Sequence, residues 1–165
     1  MRTLGIDPGL ASCGWAIIDH DGHRYSIAGH GTLRTGTDLP LALRVQSVAD
    51  GIEDVLLAHA GTEAPAGVGI EAWTYQGARS QSWASSTVPR VIQAVRMVAE
   101  RYAEDVEEVD TRSAKRALGL RGRTSKRQVQ AAVQAMTGEK LPSHAADAAA
   151  VAVWMAQRLR CGHGR

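Results

Sequence analysis

The chain has 165 residues, 44% hydrophobic and 22% charged, a composition that excludes a disordered or fibrous protein and leaves room for one domain with a sizeable core. Its formal net charge is only +2, but Arg112 to Arg127 holds seven basic side chains and no acid, while the rest, with twelve basic against seventeen acidic residues, is net −5. Cys13 and Cys161 are the only cysteines and form no Cys-x-x-Cys pattern, which argues against a zinc ribbon or a disulfide scaffold and fits a reducing, cytoplasmic setting.

The N-terminus runs straight into the first predicted strand, Thr3 to Ile6, so no signal peptide is expected. Asp7-Pro8-Gly9 then reverses the chain: Pro8 fixes φ and Gly9 permits positive φ. A second apolar strand, Gly14 to Ile18, closes on Asp19-His20-Asp21-Gly22, and Arg24 to Leu33 reads as a third, weakened by Gly29 and Gly31. Short turns between the three predict an antiparallel meander. Leu39 to Ala60 reads as a helix, with Leu43, Ser47, Ile52, Val55 and Leu56 near helical spacing and Gly61 as its stop. Ala66 to Ile70 is a short strand that delivers Glu71 at its end. Trp73 to Ser86 reads as a loop entering the helix Val88 to Tyr102, whose stripe is Val91, Ile92, Val95, Val98 and Ala99.

A strand at Val106 to Val109 sits inside an acidic stretch. Thr111 is placed to cap a helix over Arg112 to Leu118, and Gly119 and Gly122 make a turn. Ser125-Lys126-Arg127-Gln128 has the form of a capping box opening a helix to Met136. The last helix is expected from His144 to Arg160, with residues 161–165 a disordered tail. Its apolar part, Ala145 to Met155, is interrupted by Asp147 and too short to span a bilayer, so no membrane partner is expected. Strands first, then strands alternating with helices, predict an α/β chain: a mixed sheet with helices packed on it, residues 1–160 forming one domain.

Three acids end three elements: Asp7, Glu71, and Asp147 in the first turn of the last helix, with His144 three residues earlier on the same helical face. Each alone also has a structural use, in a turn, on a surface or at a helix N-terminus. If the two strands are neighbours and the helix docks beside them, the four side chains converge. Two carboxylates about 4 Å apart repel by roughly 4 kcal/mol at an effective dielectric near 20. Such a cluster either raises its pKa values or binds divalent cations; oxygen-rich sites of this kind hold magnesium or manganese and perform two-metal phosphodiester chemistry. The basic block is the electrostatic footprint of a phosphate backbone, since like charges without counter-charges repel unless an anion binds.

The chain resembles the RuvC-type Holliday-junction resolvases of the ribonuclease H-like superfamily over nearly its whole length. The resemblance is carried by Gly5-Ile6-Asp7-Pro8-Gly9 with Gly14, by Ile70-Glu71, by Gly122, Lys126 and Gln128-Val129-Gln130, and by Leu141-Pro142 leading to Ala145-Ala146-Asp147-Ala148. It implies a ribonuclease H-like fold, a mixed five-stranded sheet flanked by helices. It implies a homodimeric endonuclease that nicks opposed strands of a four-way DNA junction, alongside a branch-migration helicase. Asp7, Glu71 and Asp147 fall on its ligands for two Mg2+ or Mn2+ ions, and His144 on a position that takes a carboxylate or a histidine. Lys115 and Lys126 fall on basic positions used towards DNA, and Arg116, Arg121, Arg123 and Arg127 extend that surface. After the second acid, Glu-Gln-x-Phe is replaced by Glu71-Ala72-Trp73-Thr74-Tyr75; Trp73 and Tyr75 are candidates for stacking on bases at the crossover, with a place in the apolar core as the alternative. The competing readings are a nuclease of the same fold acting on flaps or phage replication intermediates, a non-catalytic junction-binding protein, and a phosphate-binding half of an actin-like ATPase.

Overall fold

Alternation along the first strand decides which helices cover which face of the sheet. In β1 (Arg2–Asp7), Leu4 and Ile6 point to one side, and Thr3 and Gly5 to the other. The same division continues in β2 (Ser12–His20), where Cys13 and Ile17 join Leu4 and Ile6 while Ala16 and Ile18 face the opposite layer. The computed structural model describes residues 1–60, 64–73 and 84–162. Its sheet has the order β3-β2-β1-β4-β5. β1, β2 and β3 (Tyr25–Arg34) form the expected antiparallel meander; β4 (Gly67–Glu71) and β5 (Asp105–Val109) run parallel to β1. The sheet is therefore mixed and five-stranded, as the sequence pattern predicts.

α1 (Leu41–Ala60) and α2 (Ala84–Ala99) cover the Leu4 and Ile6 face. α3 (Thr111–Ala117), α4 (Lys126–Thr137) and α5 (Ser143–Gly162) cover the other. Among the described residues no helix is long and apolar enough to cross a membrane.

Several local expectations change. Gly29 and Gly31 weaken the sequence signal for β3, yet both lie under the Trp15 indole, where a Cβ on Gly31 would come within 2.8 Å of the ring nitrogen. Their small size makes room for a cross-strand aromatic, since Trp15 pairs with Gly31 directly. Of the α1 residues near helical spacing, Ser47 and Leu43 are exposed, Leu43 at 54%. Leu43 sits in the first turn, on the far side from Val48, Ile52, Val55 and Leu56, which are buried. α2 begins before Val88 and contains Pro89; a proline near the start of a helix forgoes one hydrogen bond, a cost its buried stripe of Val91, Ile92, Val95, Val98 and Ala99 offsets. Asp110, not Thr111, caps α3: its carboxylate accepts from the amides of Arg112 and Ser113, both at 3.0 Å. The Ser125 capping box is formed as expected. α5 continues to Gly162, so Cys161 and Gly162, assigned to the tail, are helical. Gly61 and Tyr75 lie outside the described residues.

α5 lies against the sheet at unusually short range. Eleven of its residues are buried and seven of those are alanine, so its backbone can approach the strands closely. Thr3 Oγ1 donates to the Ala152 carbonyl at 2.9 Å. A Cβ on Gly5 would run into the Ala148 carbonyl, and one on Gly14 into the backbone carbonyl of His144. Gly5→Ala is accordingly expected to force α5 off the sheet and destabilise the protein by about 3 kcal/mol, the upper end for overpacking, because backbone rather than a movable side chain stands in the way. Urea unfolding of the variant checks this; an unchanged midpoint would show that α5 can yield.

Candidate active site

The parallel pairing of β1 with β4 ends at Ile6 opposite Ile70. Asp7 and Glu71, each the next residue, therefore leave the same end of adjacent strands side by side. Across the antiparallel pair on the other side, Asp7 is registered with Gly14, the residue on which the start of α5 rests. That contact brings His144 beside Asp7: His144 Nδ1 is hydrogen-bonded to Asp7 Oδ2 at 2.8 Å. Asp147, one helical turn further, faces the same cluster, and its Oδ2 lies 3.9 Å from Lys126 Nζ. The side chains of Asp7 and Asp147 keep only 20% and 23% of their exposure, so both are partly stripped of water. Asp7, Glu71, His144 and Asp147, separated by up to 140 positions in sequence, are brought together as the sequence predicts.

A cleft of about 910 Å³ opens on this cluster. Asp7, Glu71 and Asp110 line it together with Thr111, Arg112, Lys115 and Arg123. A second cleft of about 740 Å³ continues it, lined by Arg116 and Arg121 together with Arg112, Lys115 and Arg123. Lys126 and Arg127 are exposed in the first turn of α4; Arg127 lines neither cleft. Trp73 is half-buried, packs against the apolar core under α1 and α2, and also lines the acidic cleft.

Two side chains enter that the sequence reading did not assign to the site. Thr111 Oγ1 donates to Glu71 Oε1 at 2.6 Å. Arg112, counted only in the charge of the basic block, lines both clefts. The signal for Thr111 is its place just past β5, after Asp110, β5 being a strand that neighbours β4; without the sheet order that adjacency is invisible.

Among the described residues, no three His, Cys, Asp or Glu side chains are grouped tightly enough to hold an ion as they stand. Asp7 directs one oxygen at the imidazole and Asp147 has an ammonium nearby, so two of the acids already face cationic or hydrogen-donating partners.

The family model for the crossover junction endodeoxyribonuclease RuvC matches residues 3–155. The chain belongs to the RuvC family. A RuvC of Heliobacterium modesticaldum is 32% identical over 165 residues, covering 98% of both chains. One of Rhodopseudomonas palustris (strain TIE-1) is 45% identical over 64 residues, 39% of this chain and 37% of that protein's length. The structure of T. thermophilus RuvC in complex with Holliday junction substrate shares the fold, with a TM-score of 0.82, 24% identity, and coverage of 98% of this chain and 97% of that one. The ribonuclease H-like arrangement predicted from the motifs is thus the fold observed.

In this RuvC-family cluster the electrostatics are those of carboxylates short of positive charge. Burial, reinforced by the charges of Asp7 and Asp147, pushes the Glu71 carboxyl up to about 7, against the opposing pull of the Thr111 hydroxyl. Burial and the Asp7 charge raise Asp147 too, opposed by Lys126, His144 and Lys115. Folded Glu71 therefore holds its proton to about pH 7, whereas the unfolded chain releases it near the ordinary value of 4.5. Between those limits the folded state binds the extra proton, so this group makes the protein less stable as pH rises through the window. In metal-free protein, Glu71→Gln is expected to raise the melting temperature above pH ~7 and to change it little below about 4.5. Thermal melts at pH 4.5 and 8 check it; equal effects at both would show that the Glu71 charge carries no penalty.

Proposed function

We propose that this chain is a structure-selective endonuclease that resolves four-way DNA junctions by hydrolysing phosphodiester bonds on opposed strands. The observation that carries the reading is the convergence of Asp7, Glu71, Asp147 and His144, the first two lining a cleft that Arg112, Lys115 and Arg123 also line. Family membership supports it, since the matching family and relatives are named as crossover junction endodeoxyribonucleases.

The donor set fits a hard divalent cation. It offers carboxylate oxygens and one imidazole, and burial together with the charges of Asp7 and Asp147 pushes its Glu71 carboxyl up to about 7. Asp7, Glu71, Asp147 and His144 would hold two Mg2+ or Mn2+ ions. When bound, such ions supply an activated water and neutralise charge at the scissile phosphate and the departing oxygen. With Asp7 ionised, the hydrogen of their shared bond belongs to His144 Nδ1, which leaves Nε2 as the ring nitrogen with a lone pair. Lys115, Arg123 and Arg112 would receive the phosphates flanking the scissile bond, with Arg116 and Arg121 extending that track. Lys126 would pass from Asp147 to the backbone: at 3.9 Å and 67% exposed, its ion pair is too weak to hold it. Arg127, on the same exposed turn, would meet more distant phosphates, and Trp73 and Tyr75 the bases at the crossover. Residues 1–160 would act as one nuclease domain, and a second copy related by a two-fold axis would supply the second site, matching the symmetry of a four-way junction.

A gel assay on a synthetic mobile junction with magnesium or manganese tests this. Wild type is expected to nick opposed strands. Asp7→Asn and Asp147→Asn are expected to lose cleavage while still shifting the junction, because the basic clefts supply affinity and the acids supply chemistry. Cutting by either variant at the wild-type rate would remove that acid from the site.

The basic clefts make a separate expectation about salt. Each neutralised phosphate releases counterions, so the logarithm of affinity should fall linearly with the logarithm of salt concentration. Lys115→Ala is expected to reduce that slope by about 1, measured by fluorescence anisotropy of a labelled junction across a salt series. An unchanged slope would place Lys115 off the phosphate track.

A further inference from the structure

Glu71 stands at the end of β4 with three side-chain torsions to fix, and the burial that raises its pKa does not by itself aim its oxygens. The aim comes from the neighbouring strand. β5 pairs with β4 through to Glu71 opposite Val109, and the Ala72 amide donates to the Val109 carbonyl at 2.8 Å, so the two chains stay locked together one residue past the carboxylate. Directly after Val109, Asp110 caps α3 with two amide hydrogen bonds, which makes Thr111 the first residue of that helix. Thr111 is β-branched, so few side-chain rotamers are open to it. Its hydroxyl carries a single hydrogen, which is donated to Glu71 Oε1 at 2.6 Å. Asp110 already satisfies the start of the helix, so this hydroxyl is not needed to begin α3.

We propose that Thr111 is a positioning residue whose hydroxyl holds the Glu71 carboxylate, through the hydrogen bond between their side chains, in the orientation that binds a divalent cation beside Asp7. The proposal rests on Glu71 and Asp7 being ligands. Thr111 itself reaches the cation only through Glu71. A partner of this kind outside the ligand set commonly changes metal affinity 10- to 100-fold, because an unheld carboxylate must be ordered each time the ion binds. α3 and β5 thereby acquire a part in the site although neither supplies a ligand.

The test is isothermal calorimetry of Mn2+ binding to the full chain in the absence of DNA, with wild type, Thr111→Val, Thr111→Ala, Thr111→Ser and Asp7→Asn, alongside metal-free melting curves. Thr111→Val and Thr111→Ala are expected to raise the Mn2+ dissociation constant about 10-fold or more, and Thr111→Ser to remain close to wild type. Metal-free melting temperatures are expected to stay together, since the cap is Asp110. Wild-type affinity in Thr111→Val or Thr111→Ala would overturn the proposal. So would a Thr111→Ser variant as weak as Thr111→Val, or a metal-free melting loss shared by all three, which would assign the side chain a structural role. Thr111→Ala carries the comparison if Thr111→Val fails to fold. Asp7→Asn separates the two levels of the argument: if it binds Mn2+ as wild type does, the ligand set itself is wrong, and if it loses binding while the Thr111 variants keep it, only the positioning role falls.

Discussion

The close seating of α5 on the sheet is the constraint on which the site depends. An alanine-rich helix gains less hydrophobic burial per residue than one rich in leucine, but it lets backbone approach backbone. Here the helix meets glycines on two adjacent strands, Gly5 on β1 and Gly14 on β2, where any side chain would strike its carbonyls. The Thr3 hydroxyl adds a directional contact to the Ala152 carbonyl along the same face. Because Gly14 is registered with Asp7, one of the two closest approaches of this packing lies beside the first acid. His144 and Asp147 are at the N-terminal end of the helix that is held there, so a displacement of α5 would move both relative to Asp7.

Around that framework the charges are arranged in opposition. Asp7 and Glu71 leave parallel neighbours in the same direction, an arrangement that concentrates negative charge and adds to the burial that raises the Glu71 carboxyl. The segment from Thr111 to Arg127 answers it: α3, the glycine turn and the start of α4 place Arg112, Lys115 and Arg123 in the lining of the same cleft and Lys126 near Asp147. A phosphodiester entering this cleft would bring its own negative charge towards the acids, which is favourable only with additional cations beside them.

The sheet order also draws in elements that carry no acid of the cluster. β5 neighbours β4, so the start of α3 comes to rest beside Glu71, and Thr111 reaches a carboxylate forty positions earlier in the chain. The helix cap at Asp110 fixes the backbone from which that hydroxyl is presented. Precision at the site thus comes from sheet pairing and a helix cap as well as from the residues that face the cleft.

Much of this was legible in the amino-acid sequence. Apolar runs broken by Asp7-Pro8-Gly9 and Gly22 located the meander, the capping box located α4, and the stripe from Val91 to Ala99 located the buried face of α2. The acids and the imidazole could be nominated because each ends an element, and the basic block because its charges lack counter-charges. These are local properties of residue type and spacing. Where neighbours in space decided, the sequence was silent or misleading: Gly29 and Gly31 read as strand breakers until Trp15 lay across them, Leu43 fell near a helical stripe but faces outward, and Thr111 was placed as a cap when Asp110 is the cap and Thr111 binds Glu71. The sequence by itself determined which acidic, basic and imidazole groups were candidates and which segments are strands or helices. Only the tertiary structure decided which of those groups meet, because strand order and the approach distance of α5 are set by packing between segments far apart in the chain.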